Sequence, residues 1–238
     1  MIYVVGIGPG KANGRTAQAD EALAHADVIA GYGAYIDLVK GDYPGKEMIQ
    51  TGMREEVERC RMALECSRSG KVVAMVCSGD AAVYGMAGLL IELSGESDEI
   101  EVIPGVTAAL SASALLGAPI SGDFAAISLS DLLTPWRVIE QRLNGAAQGD
   151  FVIALYNPVS RARTDHLMCA CGTILKHRAG DAACGWAHNI GREGESTRLL
   201  TLCELMDAQL DMFTTVIIGN SRTYVKAGKL VTSRGYRL

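Results

Sequence analysis

No Cys-x-x-Cys pair occurs among the seven cysteines (Cys60, Cys66, Cys77, Cys169, Cys171, Cys184 and Cys203), so zinc-ribbon and iron–sulfur sites are not encoded and free thiols are expected. Cys169 and Cys171 fall on one expected helix but point apart, and no metal site is expected. Surplus positive charge is missing as well: 22 Lys and Arg against 27 Asp and Glu give a net charge of −5. A broad nucleic-acid surface needs a concentrated basic excess to neutralise phosphates, so nucleic acid is not an expected partner. Apolar runs are short, Phe151 to Tyr156 being among the longest, whereas a helix crossing a bilayer needs about 20 apolar residues. Met1 to Gly6 carries no basic leader and reads as a strand from its start, so a cytoplasmic protein without a membrane segment is expected. Internal repeats and low-complexity tracts are absent too.

What is present is the balance of a globular α/β chain. The 238 residues, 49 % hydrophobic and 21 % charged with 27 glycines, suffice for one or two domains. Short apolar runs predict strands over 2–7, 27–30, 71–76, 101–103, 124–129, 151–155, 183–187 and 214–218. Ala- and Leu-rich stretches predict helices over 16–25, 54–68, 84–93, 106–116, 134–143 and 161–177, with Gly70, Gly95 and Gly117 as stops. The alternation is the βαβ rhythm of largely parallel sheets. The Gly117–Asp123 segment holds two glycines and a proline between a helix and a strand. It is the expected boundary between an N-terminal α/β domain, 1–117, and a C-terminal one, 118–238. Tyr224 to Tyr236 predicts a hairpin around Ala227-Gly228. The basic residues there, Arg222, Lys226, Lys229, Arg234 and Arg237, fit a solvated edge and an anion-binding patch equally well.

In open α/β sheets ligands bind beyond the carboxyl ends of the strands, which singles out five loops. Gly6-Ile7-Gly8-Pro9-Gly10-Lys11 follows the first strand but lacks the third glycine of a dinucleotide fingerprint and the spacing of a phosphate-binding loop. Cys77-Ser78-Gly79-Asp80, continuing to Gly85, is a tight turn that lets backbone approach a ligand. Ile103-Pro104-Gly105-Val106-Thr107 cuts a strand before a small-residue helix. Tyr156-Asn157-Pro158 and Asn189-Ile190-Gly191-Arg192-Glu193-Gly194-Glu195 lie in the second half. Singly, each is ordinary turn chemistry. In this order they resemble the tetrapyrrole methylase family, the class III S-adenosylmethionine-dependent methyltransferases, over essentially the whole chain. The family's pieces stand here as Gly6 to Gly10, Ser78-Gly79-Asp80, Ile103 to Ala109 and Asn157-Pro158, with Ala81 where many members have proline. Ile127 to Trp136, Gly191 to Glu195 and Asp211 to Ser221 resemble the branch that methylates C17 of a corrin-pathway macrocycle.

The resemblance implies a fold of two α/β domains with a ligand cleft between them. It further implies that S-adenosylmethionine, converted to S-adenosylhomocysteine, is held largely by backbone groups. Carried over residue by residue, the cofactor contacts would be Pro9, Ser78, Gly79, Asp80, Val83, Tyr84, Thr107, Ala108, Tyr156, Asn157, Asn189, Ile190 and Thr214. Tyr84 and Tyr156 would offer aromatic faces to a sulfonium or serve as packing; Asp80 would touch the cofactor or brace its turn. The implied substrate is a tetrapyrrole rich in carboxylates, with Gly8, Gly10, Lys11 and Arg15 as candidate substrate-binding residues, and the implied assembly is a homodimer. Methyl transfer needs positioning above all, while the ring contraction associated with the C17 branch needs proton handling. Asp131, with Ser128 and Ser130 as companions, is the candidate acid or base; its alternative is a helix cap before Thr134-Pro135. His188 is a second titratable candidate. A methylase of C11 or C20, an enzyme acting on diphthamide or ribosomal RNA, and a non-catalytic α/β ligand-binding protein stay open.

Overall fold

The computed structural model describes residues 1–159 and 164–237, which form two compact units, Met1–Ala108 and Ala109–Leu238. In the first unit the order is β1 (Ile2–Gly6), α1 (Ala17–His25), β2 (Val28–Tyr32), α2 (Gly33–Ile36), β3 (Glu47–Thr51), α3 (Glu56–Arg68), β4 (Val73–Cys77), α4 (Ala87–Leu93) and β5 (Ile100–Ile103). The five strands are parallel in the order β3-β2-β4-β1-β5. Unbroken apolar runs such as Val73 to Cys77, buried throughout, suit strands covered on both faces. One face packs Val4, Val28 and Met75 against Cys60 and Leu64 of α3 and Leu90 of α4. The other packs Val5, Ile29 and Val76 against Leu23 of α1 and Ile36 of α2. Each such side chain contributes about 1.5–3 kcal/mol by leaving water. Thr16 caps α1 by accepting from the Ala19 amide, and its hydroxyl also donates to the Pro104 carbonyl just after β5.

The second unit takes in α5 (Ala108–Leu116), β6 (Gly117–Ala118), β7 (Phe124–Ser128), α6 (Trp136–Gln148), β8 (Val152–Tyr156), α7 (His166–Ile174), β9 (Ala183–His188), β10 (Ser196–Thr201), α8 (Leu202–Met206), β11 (Thr214–Ile218), β12 (Thr223–Lys226) and β13 (Lys229–Thr232). The units divide ahead of the 117/118 position read from the glycines. The cause is that α5 packs Ala109, Ala112 and Leu116 against Val152, Ala154, Ala187 and Ile217 of the second sheet. Gly117-Ala118 then pairs with β13 instead of linking two bodies. Of the helix expected over 161–177, residues 161–163 lie outside the described residues.

A largely parallel second sheet is not what forms. Its order is β10-β9-β11-β8-β7, and only β7–β8 is parallel; β8–β11, β11–β9 and β9–β10 are antiparallel. Apolar runs report burial on both faces, and they carry no information on direction. Helices α6, α7 and α8 cover one face through Ile139, Leu143, Leu167, Ala170, Leu202 and Leu205, and α5 covers the other. The hairpin β12–β13 turns on Ala227 (φ 48°) and Gly228 (φ 69°), both left-handed as a two-residue type I′ turn requires. Among the described residues no helix is long and apolar enough to cross a membrane.

Candidate active site

In the first unit β1 lies between β4 and β5, so the loops that leave their carboxyl ends meet at one edge. Gly8 and Gly79 exchange two backbone hydrogen bonds, 2.9 Å and 2.8 Å, and form a bridge outside the sheet proper. The Asp80 carboxylate accepts from the amides of Ala82 (2.8 Å), Val83 (2.9 Å) and Gly105 (3.0 Å). Burial opposes its charge, but these amides outweigh burial and hold the carboxyl below its ordinary value. Asp80 therefore braces its own turn and ties the loop after β4 to the loop after β5. Tyr84 sits at φ 56°, a conformation that costs a bulky residue about 1–3 kcal/mol and persists only where its surroundings enforce it. Its side chain is exposed, as are those of Val83 and Val106. Pro9, Ser78 and Thr107 occupy the same loops, and Ala108 follows as the first residue of α5. The residues carried over for the first half are thus brought together.

Arg15 meets other groups than a substrate carboxylate. Its side chain is only 4 % exposed; Nε donates to Asp20 Oδ1 at 2.6 Å and Nη2 to Asp42 Oδ2 at 2.7 Å. The Tyr43 hydroxyl donates to the same Asp20 oxygen at 2.7 Å, and burial together with that carboxylate pushes the phenol up to about 12. Arg15 anchors the loop after β1, while Lys11 stays exposed at its tip. Arg15→Met is expected to lower the unfolding free energy by about 2 kcal/mol, less than for a fully buried pair because both carboxylates are half exposed. Urea denaturation measures this.

In the second unit the mixed sheet has a useful consequence. Thr214, at the start of β11, pairs with His188 at the end of β9, and Ser128 at the end of β7 pairs with Tyr156 at the end of β8. Ser128, Tyr156, Asn157, Asn189, Ile190 and Thr214 therefore share one edge. Asn157 (φ 52°) and Asn189 (φ 48°) turn the chain there in the left-handed region, where asparagine is tolerated. Tyr156 accepts from the Ala109 amide at 3.0 Å. Ser128 Oγ accepts from Asn157 Nδ2 at 3.0 Å and from the Ser130 amide at 3.2 Å, which shapes the turn leading to Asp131. His188 Nε2 lies 3.1 Å from Asp211 Oδ2, whose other oxygen accepts from the Phe213 amide and the Thr214 hydroxyl.

Asp131 does not cap the next helix: α6 begins after Pro135 with no side-chain cap bond. Asp131 instead lies beside His166, a residue the sequence reading passed over. Asp131 Oδ2 is 3.7 Å from His166 Nε2, and His166 Nδ1 is 3.0 Å from the Leu129 carbonyl oxygen. The indole of Trp136 stacks on the imidazole with centroids 4.5 Å apart and planes at 31°. Nothing local in the sequence pairs residues 131 and 166; only β7 running parallel to β8 brings their loops together.

A cavity of about 730 Å³ opens at the opposite end of this sheet, lined by Asp150, Arg178, Glu204, Asn220 and Tyr224 among others. The Arg178 guanidinium there donates to the carbonyls of Gly219, Ile218 and Phe151, which marks it as a strand-end clamp. Among the described residues no cluster of His, Cys, Asp and Glu could hold a metal ion.

A family profile described as Tetrapyrrole (Corrin/Porphyrin) Methylases matches residues 1–206. A protein of Salmonella typhimurium named "Probable cobalt-factor III C(17)-methyltransferase" is 45 % identical over 100 % of both chains. A Sinorhizobium protein named "Precorrin-3B C(17)-methyltransferase" is 39 % identical over 94 % of this chain and 90 % of its own. The crystal structure of "the methyltransferase CobJ" matches with a TM-score of 0.90 at 33 % identity, covering 98 % of this chain and 99 % of that one.

Proposed function

Because the chain belongs to the tetrapyrrole methylase family, we propose that it is an S-adenosylmethionine-dependent C-methyltransferase acting at C17 of precorrin-3B or its cobalt counterpart. On this reading methylation is accompanied by ring contraction, giving precorrin-4 or the cobalt equivalent within cobalamin biosynthesis. The reading rests above all on full-length identity of 45 % to a relative named for C17 methylation.

The first unit's edge suits the cofactor. Glycine-tight loops bring main chain close to the apolar surfaces of Val83, Tyr84 and Val106, a mixture that matches a nucleoside carrying an amino acid. When bound, S-adenosylmethionine supplies an electrophilic methyl group on a positively charged sulfur. The chain's own part is positioning: Pro9, Ser78, Gly79 and Thr107 hold the donor through backbone and short side chains, and Tyr84 offers a π face to the cation. In the second unit the residues proposed to reach the cofactor are Tyr156, Asn157, Asn189, Ile190 and Thr214. Gly8, Gly10 and the exposed Lys11 receive substrate carboxylates, and Arg15 keeps that loop in place. A cytoplasmic homodimer completes the proposal, its assembly measurable by sedimentation.

Parallel incubation with precorrin-3B and cobalt-factor III in the presence of S-adenosylmethionine tests the reading. One added methyl group at C17, assigned by mass and NMR spectra, is the expected result, with an absorption change marking contraction. A methyl group at C11 or C20 would move the chain to another branch. No methyl transfer to either substrate, with no calorimetric binding of S-adenosylhomocysteine, would leave a ligand-binding protein of another kind.

A further inference from the structure

We propose that Asp131 and His166 form one proton-handling unit at the carboxyl end of β7, with Asp131 the group that meets the substrate and His166 its positioning partner. The proposal rests on the C17 reading above and adds a residue to it. A carbonyl oxygen can only accept, so the 3.0 Å contact with Leu129 fixes a proton on His166 Nδ1. Nε2 is then the ring atom turned toward Asp131, 3.7 Å away. In the neutral ring Nε2 then carries the free lone pair, and it can accept a proton handed on by the carboxylate.

The surroundings fit that use. Trp136 stacks on the imidazole and, with the Leu129 carbonyl, leaves the ring one orientation. His166 is 19 % exposed and Asp131 37 %, so the carboxylate is the more solvent-exposed member. A separation of 3.7 Å exceeds a hydrogen bond, but such contacts are often loose before substrate arrives and close in the complex. In the step proposed, an Asp131 oxygen takes a proton from the macrocycle, and the electron pair of the broken bond stays with the macrocycle. The proton then crosses to Nε2, which restores the carboxylate beside an imidazolium. Return along the same line, to the rearranged product or to water, resets the pair. Atoms and charge balance without another reactant.

The test uses the full chain with saturating S-adenosylmethionine in the assay above, comparing the parent with Asp131→Asn, His166→Gln, His166→Asn and the Asp131→Asn/His166→Gln double variant. Each single variant is expected to lose roughly 100-fold or more in kcat, with KM and S-adenosylhomocysteine affinity little changed. The double variant should fall no further than the worse single, as for residues acting together. His166→Asn can still donate to the Leu129 carbonyl but has no second nitrogen; it should keep the parent's melting temperature and still lose kcat.

A kcat near the parent's in either His166 variant, or single losses that multiply in the double, would overturn the proposal. A parent that methylates normally while the variants are unaffected condemns the pair alone. A parent that transfers no methyl group condemns the C17 reading. Nitrogen-15 spectra of the imidazole then judge the pair by itself: a proton on Nδ1 and an Nε2 resonance that moves in Asp131→Asn are expected. A bare Nδ1, or an Nε2 blind to that substitution, would refute it.

Discussion

Gly105→Ala is expected to abolish S-adenosylhomocysteine binding and to lower the melting temperature by upwards of roughly 10 °C. A Cβ at this position would lie 2.2 Å from the Gly79 carbonyl oxygen and 2.6 Å from the carbonyl carbon and oxygen of Gly6. All three atoms are backbone, held in the sheet edge by strands on either side, so no rotamer change can relieve the contact. Overpacking in a dense site costs about 1–3 kcal/mol when side chains can move, and this clash belongs at or above the upper end. The Gly105 amide is also the donor that ties the loop after β5 to Asp80, so displacement of residue 105 loosens both loops at once. Gly88→Ala is the control. Its Cβ would meet nothing within 4 Å in α4, and it is expected to gain about 0.5–1 kcal/mol from helix propensity. Calorimetry and thermal melts of the two variants separate a local steric lock from a general intolerance of larger residues.

The second large effect is expected at Asp80. Asp80→Ala removes the acceptor for the amides of Ala82, Val83 and Gly105, and should destabilise the first unit by roughly 2–4 kcal/mol, hydrogen bonds to a charged group being stronger than neutral ones. Asp80→Asn keeps one acceptor oxygen and should fall between. The effect has a pH signature. Burial resists the charge, yet the backbone donors prevail and the folded carboxyl titrates below its ordinary value of 3.8. A depressed carboxyl stabilises the folded state fully above its unfolded value, and that contribution fades as pH falls through the folded value. The stability gap between parent and Asp80→Asn in urea titrations should therefore hold constant near neutrality and narrow in acid. A gap that widens in acid would mean that the amides do not bind the ionised form.

Much of the first unit could be read directly. Continuous apolar runs give β1 and β4, and the glycine-rich loops after them converge because adjacent parallel strands put their carboxyl ends side by side. What escaped was of three kinds. Edge strands β3 and β10, Glu47–Thr51 and Ser196–Thr201, carry polar residues toward solvent and so lack the unbroken hydrophobic pattern of their neighbours. Strand direction in the second sheet is invisible to burial pattern, and with it the placement of Thr214 beside His188. Long-range partners of charged residues cannot be read at all: Arg15 lies near the glycine loop in sequence, but its bonds go to Asp20 and Asp42, and His166 lies 35 positions after the carboxylate it faces. The loops were legible as backbone; the side chains that work from them were legible only in part.

The paired bonds between Gly8 and Gly79 carry one more implication. Both amides are already satisfied before any ligand arrives, so they should resist hydrogen–deuterium exchange much as amides within the strands do. A molecule landing on this edge meets donors and acceptors whose directions were set when the chain folded, and little freedom is left to lose on contact. Tight retention and quick release can then be tuned by the ligand's fit to this glycine-tied edge.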